Sequence, residues 1–448
     1  MADHCALRLI RELKQLQSSD QLAIAVHFKE ENICDITALL VGPPGTPYEL
    51  GFYEFAIKVP SSYPAKPPMV TIKTTDHGCT RFGPNLYATG KVCLSIIGTW
   101  HGSRGEEWSP AQGLESVLLS IQSLLSANPY TNEPGFEQAS GATDHTLMEN
   151  YNAKIRHENL RLAVIAPLER AFGNVPVISQ QSYISDRSQV QDEGKRTSRE
   201  PETDDIPTSP FDDYRKQRFL WYYDLYQNNI EAGILDEEIH HKVFPLMQFE
   251  ARGNAMEGRW SYPDLKKRLQ WLQDKVLEET HSWPAEGLDL EKKDAGIAVN
   301  LRGHHEQIVS NLRHYTASMV DLTLVNGNPF LWKLTYFGRP MSKLDGGVFN
   351  IKIYISPRHP AEQPRVFVET PLYHIRVSRL GVLIYTPSRA DEMSRHIEGI
   401  INALEDENPP YNPLMTVHPE ATKLCWGSDQ ERRQYRTKLR RSVEKSAE

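Results

Sequence analysis

The chain of 448 residues has no apolar run near the roughly 20 residues that a membrane-spanning helix requires. It opens directly into an amphipathic helix, with no apolar leader, so no secretory signal is expected. There are only five cysteines, Cys5, Cys34, Cys79, Cys93 and Cys425, in no paired metal-ligand spacing. A metal site and a disulfide framework are therefore both unexpected, whereas a reducing compartment is expected. Excess positive charge is missing as well: 50 Lys and Arg stand against 58 Asp and Glu, for a net charge of −8. Nucleic acid is not an expected partner, and the basic tail from Arg432 to Lys445, which contains Glu444, reads as a solvated helix end. A protein of the cytoplasm and nucleus, with no membrane partner, is expected.

What is present is a thiol in a particular setting. Residues 81–97 read RFGPNLYATGKVCLSII, with Cys93 eight positions after the asparagine of Gly83-Pro84-Asn85. Alone, a cysteine between Val92 and Leu94 reads as a small buried hydrophobe. Paired with a carboxamide it gains a chemistry. A thiolate can hold an acyl group as a thioester, and an amide N–H can stabilise the oxyanion formed when an amine attacks that carbonyl. Around this run the pattern is mixed. Leu9, Leu13 and Leu16 share one face of an opening helix, with Arg8, Arg11 and Lys14 on another. Ile24, Val26 and Phe28 alternate, as do Tyr53, Phe55, Ile57 and Val59, then Val70 and Ile72, which is the period of half-covered strands. Ser109-Pro110-Ala111-Gln112 predicts an N-cap with a proline and a capping glutamine, followed by a helix with Leu114, Val117, Leu118, Ile121 and Leu125 on one face.

Val41-Gly42-Pro43-Pro44-Gly45-Thr46-Pro47-Tyr48, Gly51, Tyr63-Pro64-Ala65-Lys66-Pro67-Pro68, Cys93 and Trp108-Ser109-Pro110-Ala111 follow one another in the order and spacing of the ubiquitin-conjugating enzymes, which this part of the chain resembles. The long run Gly98–Trp108, Asn128-Pro129-Tyr130-Thr131-Asn132-Glu133-Pro134 and Tyr151–Glu158 are similar to the large Z-type branch. The resemblance covers about residues 1–285. It implies an α+β fold, a meander sheet packed against helices. It also implies that Cys93 takes ubiquitin or a ubiquitin-like protein as a thioester from an activating enzyme and passes it to lysine on protein substrates, with or without a ligase. By the same resemblance Asn85 stabilises the oxyanion and Glu133 is an acidic gate, with Tyr87 and Asn132 in support. Arg8, Arg11 and Lys14 form the face for the activating enzyme. Tyr63, Ala65 and Pro67, with Trp108, Ser109, Pro110 and Ala111, form the two loops that meet ligases. No cofactor and no metal are implied, ATP being spent by the upstream enzyme. Two departures stand out. Ala65 replaces a bulky apolar residue, which points away from the usual ring-type ligases, and Gly83 replaces the histidine that braces the loop, which is expected to loosen Asn85.

The domains expected are a catalytic one over 1–175, a polar linker over 176–210 that is too poor in large apolar groups to order itself, a helical extension over 211–285, and a second domain over 296–448. Phe211–Glu250 and Trp260–Thr280 read as helices, the latter with Leu265, Leu269, Leu272 and Val276 on one face. In the last domain Gly338-Arg339-Pro340, Gly346-Gly347 and His359–Val366 repeat the turns of the first at a constant offset, the mark of a duplication. His374–Tyr385 takes the place of the cysteine strand and holds no cysteine, so this second α+β copy is expected to be inactive. Two other classes fit part of the pattern: a non-catalytic ubiquitin-binding scaffold in which Cys93 is idle, and a cysteine hydrolase, for which His77 and His101 are the histidines nearest in sequence.

Overall fold

The computed structural model describes residues 2–18, 22–102, 105–138, 141–173, 209–236, 239, 241–251, 253–315 and 319–448. The segment expected as a linker lies almost wholly outside them. Contacts divide the chain into two compact units, Met1–Asp212 with Glu231–Arg268, and Asp213–Ile230 with Leu269–Glu448.

In the first unit, helix α1 (Ala2–Ser18) precedes strands β1 (Ile24–Lys29), β2 (Asn32–Val41), β3 (Phe52–Lys58) and β4 (Met69–Ile72). They form one antiparallel meander in chain order. Leu9, Leu13 and Leu16 are buried, as are Tyr53, Phe55, Ile57, Val70 and Ile72, so the period-two reading of β3 and β4 describes their covered faces. Strand β2 was not among the strands the alternation marks. Ala38, Leu39, Leu40 and Val41 are all buried, so both faces of its second half are covered and the period-two signal vanishes.

Helix α2 (Leu114–Leu124) buries Leu114, Val117, Leu118 and Ile121. Its start corrects the expected cap. The Ser109 N–H does donate to Gln112 Oε1 at 2.9 Å, but this closes a turn before the helix, because Gly113 intervenes in an extended conformation. The Leu114 N–H is instead capped by Glu12 of α1 at 3.0 Å.

Helix α3 (Ala142–Glu158) continues through a π-helical segment, Asn159–Ile165, into α4 (Ala166–Ala171). At the junction, Asn159 donates to the Glu49 carbonyl and accepts from the Tyr53 hydroxyl. Beside it Glu158 is fully enclosed and meets Arg161 at 2.6 Å and His157 Nδ1 at 3.0 Å. Burial alone would raise this carboxyl, but Arg161 and His157 outweigh it and hold it at about 2. A carboxyl depressed in the folded state stabilises above its ordinary pKa, and that stability is lost as protons bind. The first unit is therefore expected to weaken as pH falls from 4.5 towards 2. In an acid titration followed by circular dichroism, Glu158→Gln should show a flatter dependence across that window.

Helix α5 (Asp212–Leu235) begins where expected but ends early. Residues 241–251 and 253–261, expected to be helical as far as Glu250, form an irregular strap with bridges Val243↔Arg259 and Ala251↔Asn254. Pro245 lacks the donor a helix needs, and Gly253 takes a φ of 82°, a left-handed conformation. Helix α6 (Tyr262–Glu291) follows, with Leu265, Leu269, Leu272 and Val276 buried on one face.

The second unit repeats the first. Helix α7 (Gly296–Tyr315) leads into β5 (Val320–Leu324), β6 (Leu331–Phe337), β7 (Val348–Tyr354) and β8 (Arg365–Val368), again one meander in chain order. The strand pairing is also repeated at an offset of 296: Ile24↔Leu40 becomes Val320↔Tyr336, and Phe55↔Ile72 becomes Ile351↔Val368. At the β2–β3 turn, a Cβ on Gly42 would strike the Tyr48 carbonyl, and one on Gly338 the Leu344 carbonyl, so both copies need glycine there. After β8 the offset falls to 291, bridge Leu86↔Val92 becoming Val377↔Leu383. The hydrogen bond from Cys93 N–H to the Asn85 carbonyl then corresponds to that from Ile384 to Arg376. The second unit thus carries isoleucine and arginine where the first has its thiol and carboxamide. Cys425 lies on α9 (Pro419–Trp426), which follows α8 (Met393–Glu405) and precedes the last helix, α10 (Asp429–Ser446).

Candidate active site

Two short bridges beyond β4, Thr71↔Lys91 and Leu86↔Val92, bring the Gly83-Pro84-Asn85 loop against the segment carrying Cys93. The two residues are then tied reciprocally. The Cys93 N–H donates to the Asn85 carbonyl at 2.9 Å, and Asn85 Nδ2 donates to the Cys93 carbonyl at 3.1 Å. A primary amide has two N–H bonds, so one remains for another acceptor. Cys93 itself is 3% exposed, in a recess rather than on a face. The long segment after it is clasped back by Thr99, whose hydroxyl donates to the Val92 carbonyl at 2.7 Å and accepts from the Leu94 N–H at 2.9 Å.

The expected looseness at Gly83 is absent, which corrects the sequence reading. The Gly83 carbonyl accepts from the Leu86 N–H at 3.1 Å and from Arg81 Nε at 3.0 Å. Just before it, the Tyr48 hydroxyl donates to the Phe82 carbonyl at 2.6 Å. Arg81 was not singled out by sequence. Its guanidinium also donates to the Pro84 carbonyl at 2.8 Å and to the Phe249 carbonyl of the strap at 2.8 Å. It lies over the Tyr87 ring, 4.7 Å from the centroid, and 3.4 Å from Glu133 Oε2. The strap also reaches the loop at Asn254, whose Oδ1 accepts from the Ala88 N–H at 3.1 Å.

Tyr87 lies close enough to Cys93 for the thiol to act on its phenol. Burial first, and then the neighbouring thiol, push the phenol above its ordinary pKa, so at neutral pH it is a donor. Glu133 is half-buried. Burial raises its carboxyl and Arg81 opposes the rise. Cys93, Tyr87, Arg81 and Glu133 therefore form one connected group, while Asn132 stands apart from it. Its amide donates to the Leu124 carbonyl at 3.3 Å and the Ser126 hydroxyl at 3.4 Å, fastening the end of α2 rather than supporting the thiol.

The docking residues also divide. Arg8 turns inward, donating to Glu12 and to the carbonyls of Pro110 and Gln112, whereas Arg11 and Lys14 are exposed. Tyr63 is buried and donates to Glu12 at 2.6 Å, so it supports its loop from within. Trp108 Nε1 donates to the Pro64 carbonyl at 2.7 Å and joins the two loops. Ala65, Pro110 and Ala111 are exposed, and Pro67 and Ser109 are partly so. Among the described residues, no three His, Cys, Asp or Glu are placed to hold a metal.

A sequence model described as ubiquitin-conjugating enzyme matches residues 8–159. The human protein named ubiquitin-conjugating enzyme E2 Z is 36% identical over 302 residues, covering 67% of this chain and 72% of its own. The protein of that name from Danio rerio is 35% identical over 278 residues, 62% of this chain and 70% of its own. That from Xenopus tropicalis is 46% identical over 168 residues, 38% of this chain and 52% of its own.

Proposed function

The chain belongs to the ubiquitin-conjugating enzyme family, and from that premise we infer that Cys93 is the residue that carries the modifier, with Asn85 as its oxyanion donor. The transferase activity is that of the family. The observation that carries the assignment is the reciprocal pairing of Asn85 with Cys93, which uses only one of the two N–H bonds of the Asn85 amide.

The steps follow from that geometry. The Cys93 thiolate attacks the thioester carbonyl of ubiquitin on an activating enzyme. A new S–C bond forms as the old one breaks and the donor thiolate leaves. The Tyr87 hydroxyl, held protonated, steadies the Cys93 sulfur while it is charged. A lysine amine then attacks the Cys93 thioester, the carbonyl oxygen takes the negative charge, and the second N–H of Asn85 meets it. Collapse expels the Cys93 thiolate and leaves an amide. The proton lost by the amine passes to Glu133, whose affinity for it is raised by burial. On this reading the chain uses no cofactor of its own, and the second unit, with Ile384 and Arg376 in the corresponding places, takes no part in acyl transfer.

The test is charging of the full-length chain with ubiquitin, ATP and a panel of activating enzymes, resolved with and without reductant. A reductant-sensitive adduct is expected with at least one activating enzyme. An adduct with none of them, although the chain still binds ubiquitin, would make it a scaffold. An adduct hydrolysed as fast as it forms, without amine, would favour the hydrolase.

A further inference from the structure

We propose that Arg81 is the positioning residue of this site, holding Asn85 and Tyr87 at Cys93 through the loop carbonyls and the phenol ring. Gly83 offers no side chain to brace the loop, and the bracing comes from Arg81 two positions earlier. Its side chain is 3% exposed. Of its partners, three are carbonyl oxygens, those of Gly83, Pro84 and Phe249, and one is a carboxylate at 3.4 Å. A buried cation whose one carboxylate partner stands 3.4 Å away is costly, and an apolar side chain would fill the same space with less penalty. What the guanidinium gains is geometry. Its planar fork fixes two consecutive carbonyls immediately before Asn85, while its face supports the Tyr87 ring. Asn85 and Tyr87 thus share one support. Phe249, which supplies the third carbonyl, is itself wedged among Tyr130, Phe136 and Tyr151, with ring centroids 5.3 to 5.8 Å away. The strap thereby anchors the far side of the fork.

This rests on the roles given above to Cys93 and Asn85, and the experiment separates the two. The full-length chain is charged with ubiquitin and the activating enzyme is quenched. Discharge to free lysine is then followed over a lysine series for the parent, Arg81→Gln, Arg81→Lys, Asn85→Ala and the Arg81→Gln/Asn85→Ala double variant. Arg81→Gln is expected to slow discharge at saturating lysine about 10- to 100-fold with little change in the lysine concentration for half-saturation. Arg81→Lys should resemble it, since one ammonium cannot span three carbonyls. The double variant should be no slower in discharge than Asn85→Ala alone, because Arg81 acts on that step through Asn85, whereas Tyr87 serves the charging step. Effects that multiply, or parent-like discharge in Arg81→Gln, overturn the proposal.

A second readout does not depend on charging. In amide hydrogen exchange of the uncharged chain, Arg81→Gln should speed exchange at Leu86, Tyr87 and Cys93 by about tenfold or more while β2 and β3 stay protected. Unchanged loop amides overturn the proposal even if no activating enzyme loads the chain. Faster exchange throughout β2 and β3 overturns it too, since Arg81 would then serve the fold as a whole.

Discussion

Replacing Cys93 by alanine is expected to abolish the reductant-sensitive ubiquitin adduct, and replacing it by serine to leave at most a slowly formed adduct that survives reductant. The prediction is demanding because four other thiols are present. Cys5 is buried, and burial raises its pKa, so it is a poor nucleophile at neutral pH. Cys425, half-buried in the second unit, is raised for the same reason. Cys34 lies within β2, and Cys79 is exposed in the turn before Arg81. Exposure makes Cys79 the strongest competitor, yet accessibility alone does not hold an oxyanion. Of the five, Cys93 is the one knit to a carboxamide. A gel with and without reductant, with peptide mapping of the adduct, decides between them. An adduct persisting in Cys93→Ala, mapped to Cys79, would sink the assignment.

The residues that meet across a short span of sequence were legible in advance, and those that meet across a long one were not. Asn85 and Cys93 are eight apart, and their pairing needs only the two bridges that fold one segment on itself. Leu114, Val117, Leu118, Ile121 and Leu125 lie on one turning face, so periodicity finds them. The repeated turns were legible too, because Gly42 and Gly338 each sit where a backbone carbonyl leaves no room for a Cβ. Arg81 did not show. Its meaning depends on Phe249, and no local pattern brings a residue of the strap to that loop. The first half of the strap, as far as Glu250, reads as helix by sequence, although Pro245 forbids it. Arg8 and Tyr63 misled in the opposite sense. Charge and loop position marked them as surface, but Glu12 engages both, since one carboxylate there serves Arg8, which stays partly exposed, the buried Tyr63 and the first turn of α2. Polar residues become structural wherever a helix start or a loop needs a partner, and sequence does not show where that is.

Glu250→Ala is expected to be the most destabilising single change in the first unit, at about 3–5 kcal/mol. Glu250 is the strap's buried anchor. It accepts from Lys154 Nζ at 2.6 Å, from the Met247 N–H at 2.9 Å and from the Met256 N–H at 3.2 Å. Removing it leaves an ammonium in the interior with the Pro245 carbonyl, and two backbone donors without their acceptor. At about 2–4 °C for each kcal/mol in a unit of this size, the thermal midpoint should fall by roughly 6–20 °C. The pH dependence separates lost charge pairing from lost packing. Burial lowers Lys154 from 10.5, and Glu250 pulls it partly back. Without Glu250 it falls further, so over a wider range below 10.5 the folded chain binds fewer protons than the unfolded one. Stability then rises with pH through that range, and the deficit of the variant should narrow as pH approaches 10.5. Midpoints of parent and variant at neutral pH and near that value give the answer. A deficit that does not change with pH would mean the uncompensated ammonium is not the cause. Because the strap carries Phe249 and so one of the three carbonyls on Arg81, the variant should also discharge ubiquitin more slowly at temperatures where it remains folded.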